Sequence, residues 1–250
     1  MKYLLTLALL CAPCAALQVP AVGYGTSAAE VWHFNENTGS VVKDTLSLLP
    51  GSVVSAAWVT GKFGSGIRTV SVPSNSYVTI PNANNKFTIA VNKKWTLGLW
   101  IEVTGMYGSD SAGGWMFEHG GLNDGKCNLH AIKSTLTYDF YFSAYGYENN
   151  QANKVPLTTG WVLFVMAYPG SGGRGKLYMN GVYKGALNAQ VTNCNPSGTV
   201  GIKLGANNSW GSGGSGSLYD DLFFYDNVEL TQGQIKQIYL DGLGRHVGRD

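Results

Sequence analysis

The chain contains few charged residues. Asp, Glu, Lys and Arg make up 13% of its 250 residues, against about 25% in typical globular domains. The formal net charge is only +2, so there is no electrostatic case for nucleic acid or an anionic membrane as a partner. Gly, Ser, Asn and Thr take the place of the charges, which is typical of loop-rich extracellular β proteins.

Long hydrophobic runs are also lacking, except at the N-terminus. Lys2 precedes an apolar run from Tyr3 to Leu10, and small residues follow up to Ala16. This pattern predicts a secretory signal peptide over residues 1–16, and therefore an extracellular protein. The run is too short to cross a membrane, so no membrane span is expected. An alternative, lipid attachment at Cys14, is disfavoured by the preceding Pro13.

Cysteines are scarce, with four in the chain. Cys11 and Cys14 leave with the signal peptide, so Cys127 and Cys194 remain. An even pair in an oxidising compartment predicts one disulfide. It would stabilise the fold by about 4 kcal/mol on the chain-entropy estimate. The alternative is two buried free thiols.

The carboxylate pairs that glycosidases use are absent. A retaining enzyme needs two carboxylates about 5 Å apart, which an acid at alternate positions of one strand would supply. No Glu-x-Asp or Glu-x-Glu sequence occurs, Asp139 and Asp220 are isolated on their predicted strand faces, and Asp220 and Asp221 point to opposite sides. Glycoside hydrolysis is therefore not supported by the sequence.

A polysaccharide lyase is a second enzymatic alternative. It would use a tyrosine and a histidine as acid and base, beside a residue that neutralises the sugar carboxylate. Tyr141, Tyr145, His119 and His130 offer the acid and base. The arginines lie elsewhere in the chain, so the sequence favours a protein that is not an enzyme.

Two segments show clear periodicity. In Trp95 to Val103 the odd-numbered residues form one apolar face, and Trp100 and Glu102 lie on the other. In Ser217 to Tyr225 the same period places Asp220 on an apolar face with Leu218, Leu222 and Phe224, where it needs partners. A short helix follows this strand. Its predicted features are a capping box of Thr231 and Gln234, an apolar stripe of Ile235, Ile238 and Tyr239, and a stop at Gly242.

Seven segments together resemble the laminin-G-like, concanavalin A-like jelly rolls, in the order that this family has them. They are Val31 to Glu36, Asp44, Trp58 to Ile67 (WVTGKFGSGI), Trp95 to Glu102 (WTLGLWIE), Lys176 to Gly185 (KLYMNGVYKG), Val200 to Gly205, and Ser217 to Leu240. The resemblance implies an all-β, two-sheet antiparallel sandwich with a short C-terminal helix. It places this domain at residues 30–242, after a tether at 17–29 and before a tail at 243–250.

The resemblance also implies a structural calcium ion. The family often binds calcium near the acid of its closing strand, with hard oxygen ligands from an early loop. Asp220, Glu36 and Asp44 are the matching positions, although Asn35 replaces an Asp that is common there. The alternative is that backbone donors and hydroxyls alone satisfy Asp220.

Aromatic and amide residues in predicted loops suggest sugar recognition. Loops on a rigid sandwich are the usual position of binding residues. The candidates are Trp115, Tyr145, Tyr147, Asn149 and Trp210. We therefore predict a secreted, non-enzymatic binding module for carbohydrate or glycoprotein. The alternatives are a structural or adhesion protein, as a homo-oligomer or part of a cell-surface or virus-particle assembly, and a divergent polysaccharide-cleaving enzyme.

Overall fold

A computed structural model describes most of the region predicted to fold. The described residues are 29–45, 49–70, 76–82, 92–104, 114–119, 127–133, 137–144, 151–156, 158–187, 201–206 and 216–244, with only the backbone for 29, 114–119, 127–133, 137–144, 151–155 and 244. The predicted signal peptide and most of the predicted tether lie outside these residues. Ala29, placed in the tether from the sequence, is the first residue of a strand.

Eight strands form the first sheet, sheet A, and every strand pair in it is antiparallel. They are β1 (Ala29–Trp32), β4 (Ala57–Thr60), β5 (Ser65–Arg68), β7 (Trp95–Val103), β12 (Val162–Tyr168), β13 (Lys176–Met179), β14 (Val182–Ala186) and β16 (Ser217–Asp226). Their order is β14-β13-β12-β7-β16-β5-β4, and β1 also pairs with β16. The closing strand β16 thus lies at the centre of the sheet, between β7 and the pair β1 and β5.

Eight further antiparallel strands form sheet B. They are β2 (Val41–Val42), β3 (Gly51–Val54), β6 (Tyr77–Ile80), β8 (Gly114–His119), β9 (Cys127–Lys133), β10 (Thr137–Ala144), β11 (Gln151–Pro156) and β15 (Ile202–Leu204). Their order is β11-β10-β9-β8-β15-β6-β3-β2. Two antiparallel sheets and one C-terminal helix confirm the predicted fold class, a jelly-roll sandwich.

The main hydrophobic core lies between the two sheets. Alternate residues of the central strands β7 and β12 lie in it, as the period of two requires. Trp95, Leu97, Leu99 and Ile101 of β7 are all buried there, which confirms the face predicted from the sequence. The ring of Trp95 stacks on that of Tyr168 with centroids 5.3 Å apart.

The predicted faces of β16 are wrong after Asp220, because the strand contains a β-bulge. Asp220 pairs with Trp100 and Phe223 pairs with Gly98, so β16 has one residue more than β7 over this stretch. Asp221 absorbs the extra residue with a φ of 43°. A bulge reverses the alternation of faces beyond it. Tyr219, Leu222 and Phe224 therefore share the inter-sheet core, whereas Asp220 lies on the opposite face, level with Trp100.

The helix α1 (Gln232–Gly244) covers the outer face of sheet A. Ile235 and Ile238 are buried there with Trp100 and other strand residues in a second core. The helix begins with the predicted capping box. The Gln234 side chain accepts the Thr231 N–H at 2.9 Å, and the Gln234 N–H donates to Thr231 Oγ1 at 3.3 Å. Within the described residues, no helix is long and apolar enough to cross a membrane.

The predicted helix stop at Gly242 is wrong, since α1 continues to Gly244. Gly242 instead allows close packing of the helix on the sheet. A Cβ atom at this position would lie 2.6 Å from Cζ2 of Trp100 and 3.1 Å from Cζ of Phe63. Glycine is therefore required here by the neighbouring rings and not by the end of the helix.

We expect Gly242→Ala to lower the free energy of unfolding by about 1–3 kcal/mol, because the added methyl group overpacks the contact with Trp100. The matched control is Gly233→Ala in the same helix, where a Cβ would meet only Thr231 Oγ1 at 3.9 Å. Because alanine has a higher helix propensity than glycine, Gly233→Ala should stabilise the fold by up to about 1 kcal/mol. Urea titrations of both variants measure the difference. Equal effects would show that α1 does not dock tightly through Gly242.

Candidate functional site

The predicted loop residues have different positions in the structure. Trp115 lies in strand β8, so its assignment to a loop is wrong. The glycine-rich stretch around it contains a strand because β15 and β9 pair with it from either side. Tyr145, Tyr147, Asn149 and Trp210 lie outside the described residues. Cys127 begins β9 and Cys194 lies outside the described residues, so the disulfide stays a prediction.

The three predicted calcium ligands bind separate backbone groups. Asp220 Oδ2 accepts the Phe63 N–H at 2.7 Å, and its Oδ1 accepts the N–H of Asp221 at 2.9 Å. Asp44 accepts the Leu49 N–H at 2.9 Å. Glu36 accepts the backbone N–H of Lys43 at 2.7 Å.

These carboxylates do not fit a shared metal ion. In the part of the chain that the structure describes, no group of three or more His, Cys, Asp and Glu side chains could hold one. Asp220 is fully buried, and both of its oxygens already accept backbone hydrogen bonds. The arrangement favours the alternative in which backbone donors satisfy Asp220. Calcium binding stays a prediction.

Asp220 anchors the turn between β4 and β5. Its carboxylate accepts the Phe63 N–H, and a Cβ at Gly61 would lie 2.6 Å from Oδ2. Burial, and then the neighbouring Asp221 carboxylate, raise the pKa of Asp220 to about 9 against the opposing backbone hydrogen bonds. Burial also lowers the pKa of Lys62, whose Nζ lies 5.0 Å from the Trp100 ring centroid.

Asp221 connects the bulge to the N-terminal part of the chain. Its Oδ1 lies 2.6 Å from Nδ1 of His33. Asp221 and Asp220 are both fully buried, and the His33 side chain is 24% exposed. Neither carboxylate faces an open cleft, so this pair does not form the solvent-accessible acid pair that a hydrolase needs. Asp220 and Asp221 instead connect the bulge of β16 to the turn between β4 and β5 and to His33, which follows β1.

The outer faces of the two sheets differ. On sheet A, the outer residues Trp100, Leu163 and Phe223 are buried beneath the helix. On sheet B, Ser52 of β3 is exposed, and Tyr77 and Thr79 of β6 are half-buried. Where the structure describes side chains on the outer face of sheet B, on β3 and β6, they are therefore exposed or half-buried.

A continuous row of polar residues crosses this face. Residues directly opposite each other in a sheet lie on the same face. The pairing runs from Thr79 to Lys203, then Glu118, His130 and Tyr141. We call these five residues the central row.

The face of the central row follows from its neighbours. Ile202 and Leu204, on either side of Lys203, are buried in the inter-sheet core. Val78 and Ile80, on either side of Thr79, are buried there as well. The central row therefore lies on the opposite, outer face of sheet B.

A second row lies beside the central row on the same face. Ile132 follows His130 by two residues and pairs with Trp115. Asp139 pairs with Ile132 on one side and with Lys154 on the other. We call Trp115, Ile132, Asp139 and Lys154 the second row.

The sequence did not predict these rows as a site, because their members come from strands far apart in the chain. Trp115, a predicted binding residue, belongs to this surface.

A family model described as the concanavalin A-like lectin/glucanases superfamily matches residues 73–236. A search of curated proteins finds no match.

Several solved structures share the fold at low sequence identity. Trypanosoma rangeli sialidase is 15% identical with a TM-score of 0.64, covering 91% of this chain and 34% of the sialidase. This chain thus spans about a third of the sialidase. Domain 4 of AbnA, an extracellular GH43 arabinanase from Geobacillus stearothermophilus in complex with arabinotriose, is 15% identical with a TM-score of 0.61, covering 84% of this chain and 97% of that domain. The receptor-binding domain of botulinum neurotoxin type G is 11% identical, with a TM-score of 0.61. The match covers 86% of this chain and 51% of the neurotoxin domain.

Proposed function

The chain belongs to the concanavalin A-like lectin/glucanase superfamily, and we propose that it is a secreted, non-enzymatic module that binds carbohydrate or glycoprotein. The superfamily and the arabinotriose complex of one structural neighbour support a sugar ligand. The predicted signal peptide supports secretion. A fold alone does not define function, so the proposal depends on the surface that this chain presents.

The observation that carries the proposal is the set of residues that strand pairing places on the outer face of sheet B, where the described side chains of β3 and β6 are exposed or half-buried. It combines residues with aromatic rings, Trp115 and Tyr141, with residues that donate and accept hydrogen bonds. Binding sites for small ligands commonly pair aromatic contact area with a few polar groups that fix orientation. On sheet A, by contrast, the outer residues around Trp100, Leu163 and Phe223 are buried beneath α1.

The positions of the acids support binding rather than hydrolysis. Glu118 and Asp139 lie two strands apart and two residues apart along the strand. Ladder spacings then put their backbone positions about 12 Å apart. Retaining glycosidases hold their carboxyl groups about 5 Å apart, and acids at alternate positions of one strand, which supply such a pair most directly, are absent from the sequence.

A glycan array probed with the secreted chain tests the proposal, followed by titration of tryptophan fluorescence with each glycan that binds. We expect Trp115→Ala and Trp210→Ala to weaken binding at least about tenfold, since loss of a stacking ring removes buried apolar contact. The matched control is Trp161→Ala, which removes a half-buried tryptophan beside β12 of sheet A. A folded chain that binds no glycan and co-purifies with a larger particle would favour the structural or adhesion alternative.

A further inference from the structure

We propose that the end of sheet A that α1 leaves uncovered binds a peptide segment of a partner protein, in which an acidic and a basic side chain flank an apolar one. The surface consists of Arg68, Leu218 and Glu102, which we call the uncovered strip. It lies on the opposite side of the sandwich from the outer face of sheet B. The inference is therefore independent of the proposed function and adds a second interaction surface.

The uncovered strip is one row of directly opposite residues. Leu218 of β16 pairs with Glu102 of β7 on one side and with Arg68 of β5 on the other. Directly opposite residues share a face of the sheet. The residues next to them in these strands are buried in the inter-sheet core, namely Ile101, Tyr219 and Ile67. The uncovered strip therefore lies on the outer face of sheet A.

The side chains of the uncovered strip are accessible, unlike those of the row beside it. Arg68 is exposed, and Leu218 and Glu102 are half-buried. Trp100, which precedes Glu102 by two residues on the same face of β7, is fully buried. The cover that α1 gives to sheet A thus ends between these two rows. On the edge strand β4, Ala57 pairs with Arg68 and is also exposed, so the row is open at that edge.

The last turn of α1 forms a wall beside the uncovered strip. A Cβ at Gly242 would lie 2.6 Å from Cζ2 of Trp100, and Nζ of Lys62 lies 5.0 Å from the centroid of the same ring. An α-helix with its side chains is about 10–12 Å in diameter, so α1 rises about that far above the sheet. A flat surface, such as a sheet of a second copy, would meet the helix first. A single peptide segment can reach the floor beside it.

The two charges of the uncovered strip are available to a ligand. Leu218 separates Arg68 from Glu102, and at the usual strand spacing the backbones of these two residues are about 10 Å apart. Within the described residues, neither charged side chain forms an ion pair. A half-buried apolar residue between two unpaired opposite charges is complementary to a ligand that presents an acid, an apolar group and a base in the same order.

The spacing of the charges suits a short extended peptide. An extended chain advances about 3.3 Å per residue, so an acid and a base about three positions apart span the same distance of about 10 Å. An apolar residue between them would contact Leu218. The acid would accept hydrogen bonds from the guanidinium of Arg68, and the base would donate to the carboxylate of Glu102.

Selection from a random dodecapeptide library displayed on phage, with the intact chain as bait, tests the inference. We expect the enriched peptides to contain an acid and a base with an apolar residue between them. The affinity of the synthetic peptides, measured by fluorescence polarisation, should fall about threefold to tenfold in Arg68→Ala and in Glu102→Ala. The matched control is Lys184→Ala on β14, an exposed cation at the far edge of sheet A, which should leave affinity within about twofold. If Glu102→Ala fails to fold, Glu102→Gln replaces it.

An exchange of charges identifies the contacts. The double variant Arg68→Glu with Glu102→Arg should bind a selected peptide weakly. It should bind the same peptide with its own acid and base exchanged at least about threefold more tightly, and the wild type should show the opposite preference. Thermal unfolding checks that the double variant is folded. If it is not, Arg68→Glu alone, at an exposed position, should show the loss of affinity for the selected peptide.

Three outcomes would overturn the inference. Peptides that keep their affinity in both alanine variants bind elsewhere on the chain. A library that yields no binder leaves the uncovered strip without a peptide ligand. Self-association in analytical ultracentrifugation that is lost in both alanine variants would show that a second copy occupies the strip instead. Glycan binding by these variants should match that of the wild type, so each result is separate from the test of the proposed function.

Discussion

Gly98→Ala is expected to lower the free energy of unfolding by about 3 kcal/mol or more. Gly98 lies in the middle of β7 opposite Phe223 of β16. A Cβ at this position would lie 2.2 Å from Cζ of Phe223, and the ring is fully buried beneath α1. The ring cannot move away without displacing the helix, so the cost should reach or exceed the upper part of the range for overpacked cores.

Denaturant titration measures this effect, and a double-mutant cycle identifies its cause. Phe223→Ala alone should destabilise the fold by about 3–5 kcal/mol, because it leaves a cavity. If the methyl group added by Gly98→Ala clashes with the ring, combining both substitutions should cost clearly less than the sum of the single effects. Additive effects would show that the glycine is needed for a reason other than Phe223.

The second large effect is a dependence of stability on pH that arises from Asp220. Its pKa is raised to about 9 in the folded protein from an ordinary value of 3.8. Between these values the folded state holds a proton that the unfolded state releases. The contribution of Asp220 to stability is therefore highest below about pH 4 and falls as pH rises towards 9. Between pH 5 and pH 8 the loss is at most about 4 kcal/mol, at 1.36 kcal/mol for each pH unit.

Asp220→Asn isolates this contribution, because an amide has nearly the shape of a protonated carboxyl group and does not titrate. We expect the difference in unfolding free energy, wild type minus variant, to decrease from pH 5 to pH 8. Chemical denaturation at both pH values measures it, and the subtraction removes the pH dependence that the two proteins share. A difference that instead grows with pH would mean that Asp220 is ionised in the fold, held by the N–H groups of Phe63 and Asp221.

Local patterns were sufficient to predict the elements with a regular period. The alternation of Trp95 to Ile101 identified the core face of β7, because a regular strand has only two faces. The spacing of Thr231 and Gln234 identified the start of α1, because a capping box joins residues three apart. Combined with the order of the family-like segments, these patterns predicted a sandwich closed by a strand and a helix.

The bulge in β16 escaped prediction because nothing in the local sequence requires it. Asp221 lies at the extra residue opposite β7, next to Asp220, which accepts the N–H of Phe63 on a distant turn. Likewise, Gly242 has the residue type of a helix stop, and only the rings of Trp100 and Phe63 show why it lies inside the helix.

The sequence by itself determined the residue types, the strand periods and the helix cap, and with them the fold class. Tertiary structure alone decided which residues meet on the face of sheet B. Thr79, Lys203, Glu118 and Tyr141 lie on strands that are distant in sequence, and their common row depends on the register between those strands. Register is set by hydrogen bonding and core packing across the whole sheet, so no short segment of the chain contains it.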